Sequence, residues 1–114
     1  MSSLESLIES VEKRKPISFE YNKVGKVKGE RIGNVHAVFI FTSKKSGKQS
    51  TMLHVVQTGG VSDSKEKNPF PDFRSFKIED ISEVKVLKNR SNFEIFYEKY
   101  NPEWDGYNCP LAKV

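Results

Sequence analysis

The side chains best able to bind or react lie between residues 54 and 74. His54 sits inside an apolar, β-branched run, and Gln57, Thr58, Gly59 and Gly60 close that run. Ser62 follows, and Arg74 opens the next patterned segment. A guanidinium is a planar fork that matches a carboxylate, a phosphate or a pair of backbone carbonyls. Two consecutive glycines permit positive φ, so that successive backbone N–H groups converge into an anion-binding nest. Ser62 and Ser64 add hydroxyl donors, and His54 can donate to an anion or report pH. Together, His54, Gln57, Thr58, Gly59, Gly60, Ser62 and Arg74 read as a site for an anionic ligand. No Gly-Lys-Ser/Thr follows the glycines, so this is not a Walker loop.

Each of these residues also has a structural use. Arg74 can tie down Asp63, Asp72 or the C-terminal tail, and His54 can be a satisfied, half-buried histidine. The Gly-Gly segment can be a plain strand connection. Catalysis finds little footing: Cys109 lies beside a proline in the tail, neither His36 nor His54 has a nucleophile at motif spacing, and the carboxylates are scattered. The expectation is a protein that is not an enzyme. No Cys/His cluster has zinc spacing, and neither a metal nor a cofactor is expected.

The elements that must position these residues follow from length and pattern. A chain of 114 residues has room for one core. Leu4, Leu7, Ile8 and Val11 form a one-sided stripe, so residues 1–15 read as an amphipathic helix. Ser2 or Ser3 caps it, Lys13, Arg14 and Lys15 suit its negative end, and Pro16 stops it. From Ile17 the period changes to two. Strands are predicted over ISFEYN, Arg31–Thr42, Thr51–Gln57, Phe73–Glu79 and Glu83–Lys88, with Gly33–Asn34 as a bulge and Asp80–Ser82 as a turn. Five short strands after one helix predict a mainly β domain, a small, strongly bent antiparallel sheet or barrel. Phe93–Tyr100 is ambiguous between helix and strand. Residues 89–114 are expected to pack on the core as an aromatic tail, with Trp104 as a latch.

Charge is unevenly spread. The net charge is +4, and residues 13–48 carry ten basic side chains against two acidic ones. Such asymmetry fits nucleic acid or another polyanion; a solvated lysine surface that keeps strand edges apart is the plainer account. Phe70, Phe73, Phe76, Tyr97, Tyr100, Trp104 and Tyr107 could stack bases, or serve as core and latches. The single Cys109 and the lack of a signal-like start or a bilayer-length apolar run predict a reducing, cytoplasmic setting away from membranes.

At residues 74–81 the chain resembles a known family. Arg74, Phe76, Ile78 and Ile81 match the Arg-x-Phe-x-aliphatic-x-x-Ile closing motif of the WYL domain. The strands ending at Tyr21, around Val35–Phe41 and at Thr51–Gln57 fall in the matching order, so the resemblance spans about residues 17–88. It implies an SH3-like barrel. Such domains usually follow a winged helix-turn-helix in bacterial transcription regulators and sense ligands or nucleic acid, and some stand alone as regulators of defence systems. Thr51-Met52-Leu53 replaces the Trp-Tyr-Leu tripeptide, Asp80 stands where a basic residue is frequent, and one helix precedes the barrel rather than a helix-turn-helix. The combined expectation is a stand-alone regulatory module. It would bind a nucleotide, short nucleic acid or other anion at the barrel rim. The alternative is an assembly module that acts through a strand edge or the N-terminal helix, with a protein partner or a second copy.

Overall fold

The computed structural model describes residues 3–62 and 69–114. Ser2, Asp63 and Ser64, named above as cap, tie and donor, lie outside the described residues. The domain is mainly β: one helix, α1 (Ser3–Lys13), precedes a six-stranded antiparallel sheet. The strands are β1 (Ile17–Tyr21), β2 (Glu30–Thr42), β3 (Gln49–Gly60), β4 (Asp72–Lys77), β5 (Ile81–Val86) and β6 (Pro110–Lys113). Their order is β4-β3-β2-β1-β5, and a 3-10 turn at Ile78–Asp80 leads from β4 into β5. The sheet is strongly curved, with β4 and β5 as its two ends.

The curvature originates in β2. Its β3-facing edge is paired along nearly its whole length, from Arg31 opposite Gly60 to Thr42 opposite Gln49. The other edge is divided: residues 30–33 pair with β1 and residues 37–39 with β6. Two register shifts against β3 interrupt the ladder of this 13-residue strand and bend it. One lies at Ile32/Gly33, beside the predicted interruption. The other, at Val35/Ala37, bulges His36 out of the ladder and reverses which face each later residue covers.

Two cores result. The first lies inside the bent sheet and under α1, and gathers Leu7, Val11, Ile17, Phe19, Val35, Val38, Leu53, Val55, Phe76 and Ile81. Edge-to-face contacts of Phe76 with Phe19 (5.2 Å) and Tyr21 (4.8 Å) join β4 to β1 across it. The second core, on the other side of β2 and β3, is Ala37, Phe39, Tyr100 and Tyr107, with Met52 and Phe73 against it. The aromatic tail fills it.

Several boundaries differ from expectation. The helix stops before Pro16, at Arg14 (φ 52), where Lys15 N–H reaches back to the Ser10 carbonyl (3.0 Å). Ile81 and Ser82 belong to β5 rather than a turn, because Ile81 pairs with Tyr21 and drops its side chain into the first core. Residues 93–100 are neither helix nor strand. Their fixed points are Phe93, whose N–H bonds to the Arg14 carbonyl (2.8 Å), and buried Tyr100. β6 was not foreseen, since its four residues carry no alternation; the vacant half-edge of β2 recruits it.

The glycines 59 and 60 are paired strand, not loop: Gly59 lies opposite Ile32 and Gly60 opposite Arg31. Gly60 has φ +84, and a Cβ there would collide with the backbone of Glu30 and Arg31. Gly25 has the same φ in open space. Gly60→Ala should therefore lose about 2 kcal/mol or more in urea unfolding, against ~1 kcal/mol for Gly25→Ala. Equal losses would mean that the close approach at Gly60 carries no energy.

Candidate ligand site at the barrel rim

Alternation along β3 decides where its polar residues go. Leu53, Val55 and Gln57 share the face of the first core; His54 and Val56 share the opposite one. In β4, Arg74 stands opposite Val55 and Asp72 opposite Gln57, so both follow the first-core face. Gln57, Ser62, Asp72 and Arg74 thus meet at one end of the barrel, and Gly59 and Gly60 form the strand terminus beside them.

At this end Gln57 is fully buried. Its Nε2 donates to the carbonyls of Gly59 (3.0 Å) and Val61 (2.8 Å), which orients the amide. Its Oε1 accepts no hydrogen bond among the described residues. A buried acceptor in that state costs about 1–3 kcal/mol. Arg74 donates from Nη1 to Ser62 Oγ (2.6 Å), sets Nε 3.3 Å from Asp72 Oδ2, and lies over the Phe70 ring (5.5 Å). Asp72 is shared with Lys99, at 3.7 Å from the other carboxylate oxygen. Two cations therefore converge on one carboxylate. Thr58 is on the exposed side, its hydroxyl 3.4 Å from the Ile32 carbonyl.

Sequence reasoning missed two cations here. Arg31 is buried within the barrel; its Nη2 donates to the Val27 carbonyl (3.1 Å), and its guanidinium lies over Tyr21 (5.1 Å) and Phe76 (5.9 Å). It closes the end of the first core by bridging rings of β1 and β4. Its signal was available, since Arg31 has the parity of Gly33 and Val35 on an inward face. Lys99 had none, because it arrives from the irregular tail.

His54 does not join this group. It points into the second core, where a 2.6 Å hydrogen bond links Nδ1 to the Tyr107 hydroxyl. Phe39, Phe73 and Trp104 surround the ring at 4.8, 4.9 and 5.5 Å. The structural use weighed for it is the one its surroundings provide. His36, the bulged residue of β2, is enclosed as well. Its Nε2 accepts the Phe96 N–H (3.0 Å), so Nδ1 carries the proton and donates to the Asn34 carbonyl (2.9 Å). The ring stacks on Phe93 at 5.1 Å. His36 and His54 pin the two halves of the tail. Trp104 latches over His54, Phe39 and Tyr107, and its indole lies so close over Gly106 that no Cβ fits there.

Among the described residues no group of three or more His, Cys, Asp or Glu converges to hold a metal ion, and no helix is long and apolar enough to cross a membrane. Compared with protein-family models, curated proteins and solved structures, the chain matches none.

Burial holds both histidines below the ordinary imidazole pKa of 6.5, His54 at about 4. In the unfolded chain each regains its usual value and takes up a proton first. Stability is therefore full above pH 6.5 and falls as pH drops from there toward 4, where the His54 contribution levels off. At ~1.4 kcal/mol per pKa unit the loss from His54 by pH 4 is about 3 kcal/mol. Urea unfolding between pH 7.5 and 4 should show this slope, and His54→Gln should flatten it. A wild-type profile flat across that range would contradict the buried, neutral state.

Proposed function

We propose that this domain is a regulatory binding module that recognises a nucleotide or short nucleic acid at the barrel rim, through binding rather than turnover. The observation that carries the reading is the convergence of Arg74 and Lys99 on the single carboxylate of Asp72. The Arg74 fork is already oriented by Ser62 and Phe70. Phosphate is the anion that a nucleotide or an oligonucleotide presents to such a fork. The engagement of both histidines in packing supports binding over catalysis. The WYL-like motif at Arg74, Phe76, Ile78 and Ile81 agrees with a regulatory role, and Arg74 is the motif residue at this site.

Titration calorimetry at low salt with mononucleotides and short oligonucleotides tests the proposal. Arg74→Ala should weaken binding about tenfold or more, and Arg74→Lys should recover only part of it, because the ammonium lacks the fork. Thermal melts of both variants establish that they fold. No binding to the wild type, or equal binding by folded Arg74→Ala, would sink the rim site.

A second reading, an assembly module, draws on one feature. Among the described residues β4 and β5 each pair along one side only, which leaves strand edges able to accept another chain. The helix is less suited to that use. Its Leu7 and Val11 are already spent on the first core. Light scattering across a concentration series should show a dimer if an edge is used, and a monomer throughout would dismiss self-assembly.

A further inference from the structure

At the opposite end of β2 from the rim, about ten residues or ~30 Å of strand away, lies a different surface. There β2 runs out at Phe41 and Thr42, and the tail lays Trp104, Asp105, Gly106 and Asn108 beside it. Between them is a cleft of about 520 Å³, with Lys44 at its edge. That volume falls within the ~300–1,000 Å³ of small-molecule sites. Phe41 and Trp104 are among the largest apolar side chains left open to solvent, 41% and 43% exposed, while Phe93, Tyr100 and Tyr107 of the tail are buried. The Trp104 indole is nonetheless held rigidly. Tyr107 and Phe39 meet it edge-on at 5.1 and 6.0 Å, and Gly106 lies beneath it. It offers an ordered aromatic surface that loses little entropy on stacking.

The adjoining β2–β3 turn is basic and braced. Ser43 and Lys48 close it with a backbone bond of 2.9 Å, and Gly47 takes the left-handed conformation its curve requires. Lys44, Lys45 and Lys48 are all exposed, and none forms an ion pair among the described residues. Lys48 also borders a neighbouring cleft of about 220 Å³ with Lys77 and Glu79, so positive charge continues past the turn. Aromatic faces flanked by a line of lysines are the two parts of a single-strand site: stacking is indifferent to base identity, and the lysines follow the backbone. Asp105 and Asn108 supply acceptors for exocyclic amino groups.

We propose that the Phe41–Trp104 cleft is a base-stacking site for single-stranded nucleic acid, with Lys44, Lys45 and Lys48 on its phosphates. The site is separate from the rim and stands or falls independently of it. Mononucleotides fill one stacking position and touch at most one lysine, so the strand must bind more tightly than its monomer unit.

Trp104 is the only tryptophan in the chain, which makes its fluorescence a local probe. The experiment titrates the full chain with a thymidine decamer, with thymidine monophosphate and with inorganic polyphosphate of matched charge. The decamer should quench Trp104, with affinity falling steeply as salt rises; polyphosphate should not quench. Phe41→Ala, an exposed change away from both cores, should weaken the decamer about tenfold, and Lys44→Glu with Lys45→Glu by at least as much. Arg74→Ala should leave the quenching unchanged. Absent quenching, equal quenching by polyphosphate, equal affinity for the monophosphate, or insensitivity to Phe41→Ala would each overturn the proposal. Loss of quenching in folded Arg74→Ala would place the strand at the rim instead.

Discussion

The structure depends on one constraint: β2 must satisfy three strands with two edges. One edge goes to β3, and the other is divided between β1 and β6. The bulge at His36 resolves the conflict. Before it, Val35 faces the first core; after it, Ala37 and Phe39 face the second, and Val38 returns to the first. One misaligned residue thus creates two apolar faces from one strand, and each face then needs a cover. The helix covers the first, and the aromatic tail covers the second.

The same bulge explains why the histidines are structural. His36 leaves the ladder, and its ring nitrogens become available to the tail, which docks through the Phe96 N–H; its backbone carbonyl takes the Val114 N–H (2.9 Å). His54, the partner of Ala37 across the shift, meets Tyr107. Two neutral imidazoles are thereby buried where a charge would be expensive, so tail docking is coupled to pH through groups that do no chemistry. Burial also raises the Tyr107 and Tyr100 phenols above their usual range, Tyr100 to about 12, so both stay neutral hydrogen-bonding groups.

Polar residues collect where the two covers leave off. At one end of β2, Arg31 seals the barrel between two rings while Gln57, Arg74, Asp72 and Lys99 meet beside it. At the other end, the tail turns at Trp104 and leaves an aromatic surface next to a lysine-rich turn. Both candidate sites are therefore consequences of the length of β2, which outruns the elements packed upon it.

How much of this was legible follows from the range of the interactions involved. Local periodicity carried the helix, the order of the first five strands and the bend near Gly33, because period and turn chemistry are written within a few residues. The inward parity of Arg74 and the latch role of Trp104 were also readable, the first from alternation and the second from its place in turn-rich sequence. What alternation could not convey was the second register shift, since the bulge at His36 lies between the stretch of β2 that pairs β1 and the stretch that pairs β6, and neither partner is local in sequence. From that shift follow the separation of His54 from Arg74, the recruitment of β6 and the approach of Lys99 to Asp72. Each joins residues tens of positions apart, so only the folded chain could decide them. The sequence alone determined the helix, the existence of the first five strands and which side chains can bind; the tertiary structure decided the sixth strand and which of those side chains share a surface.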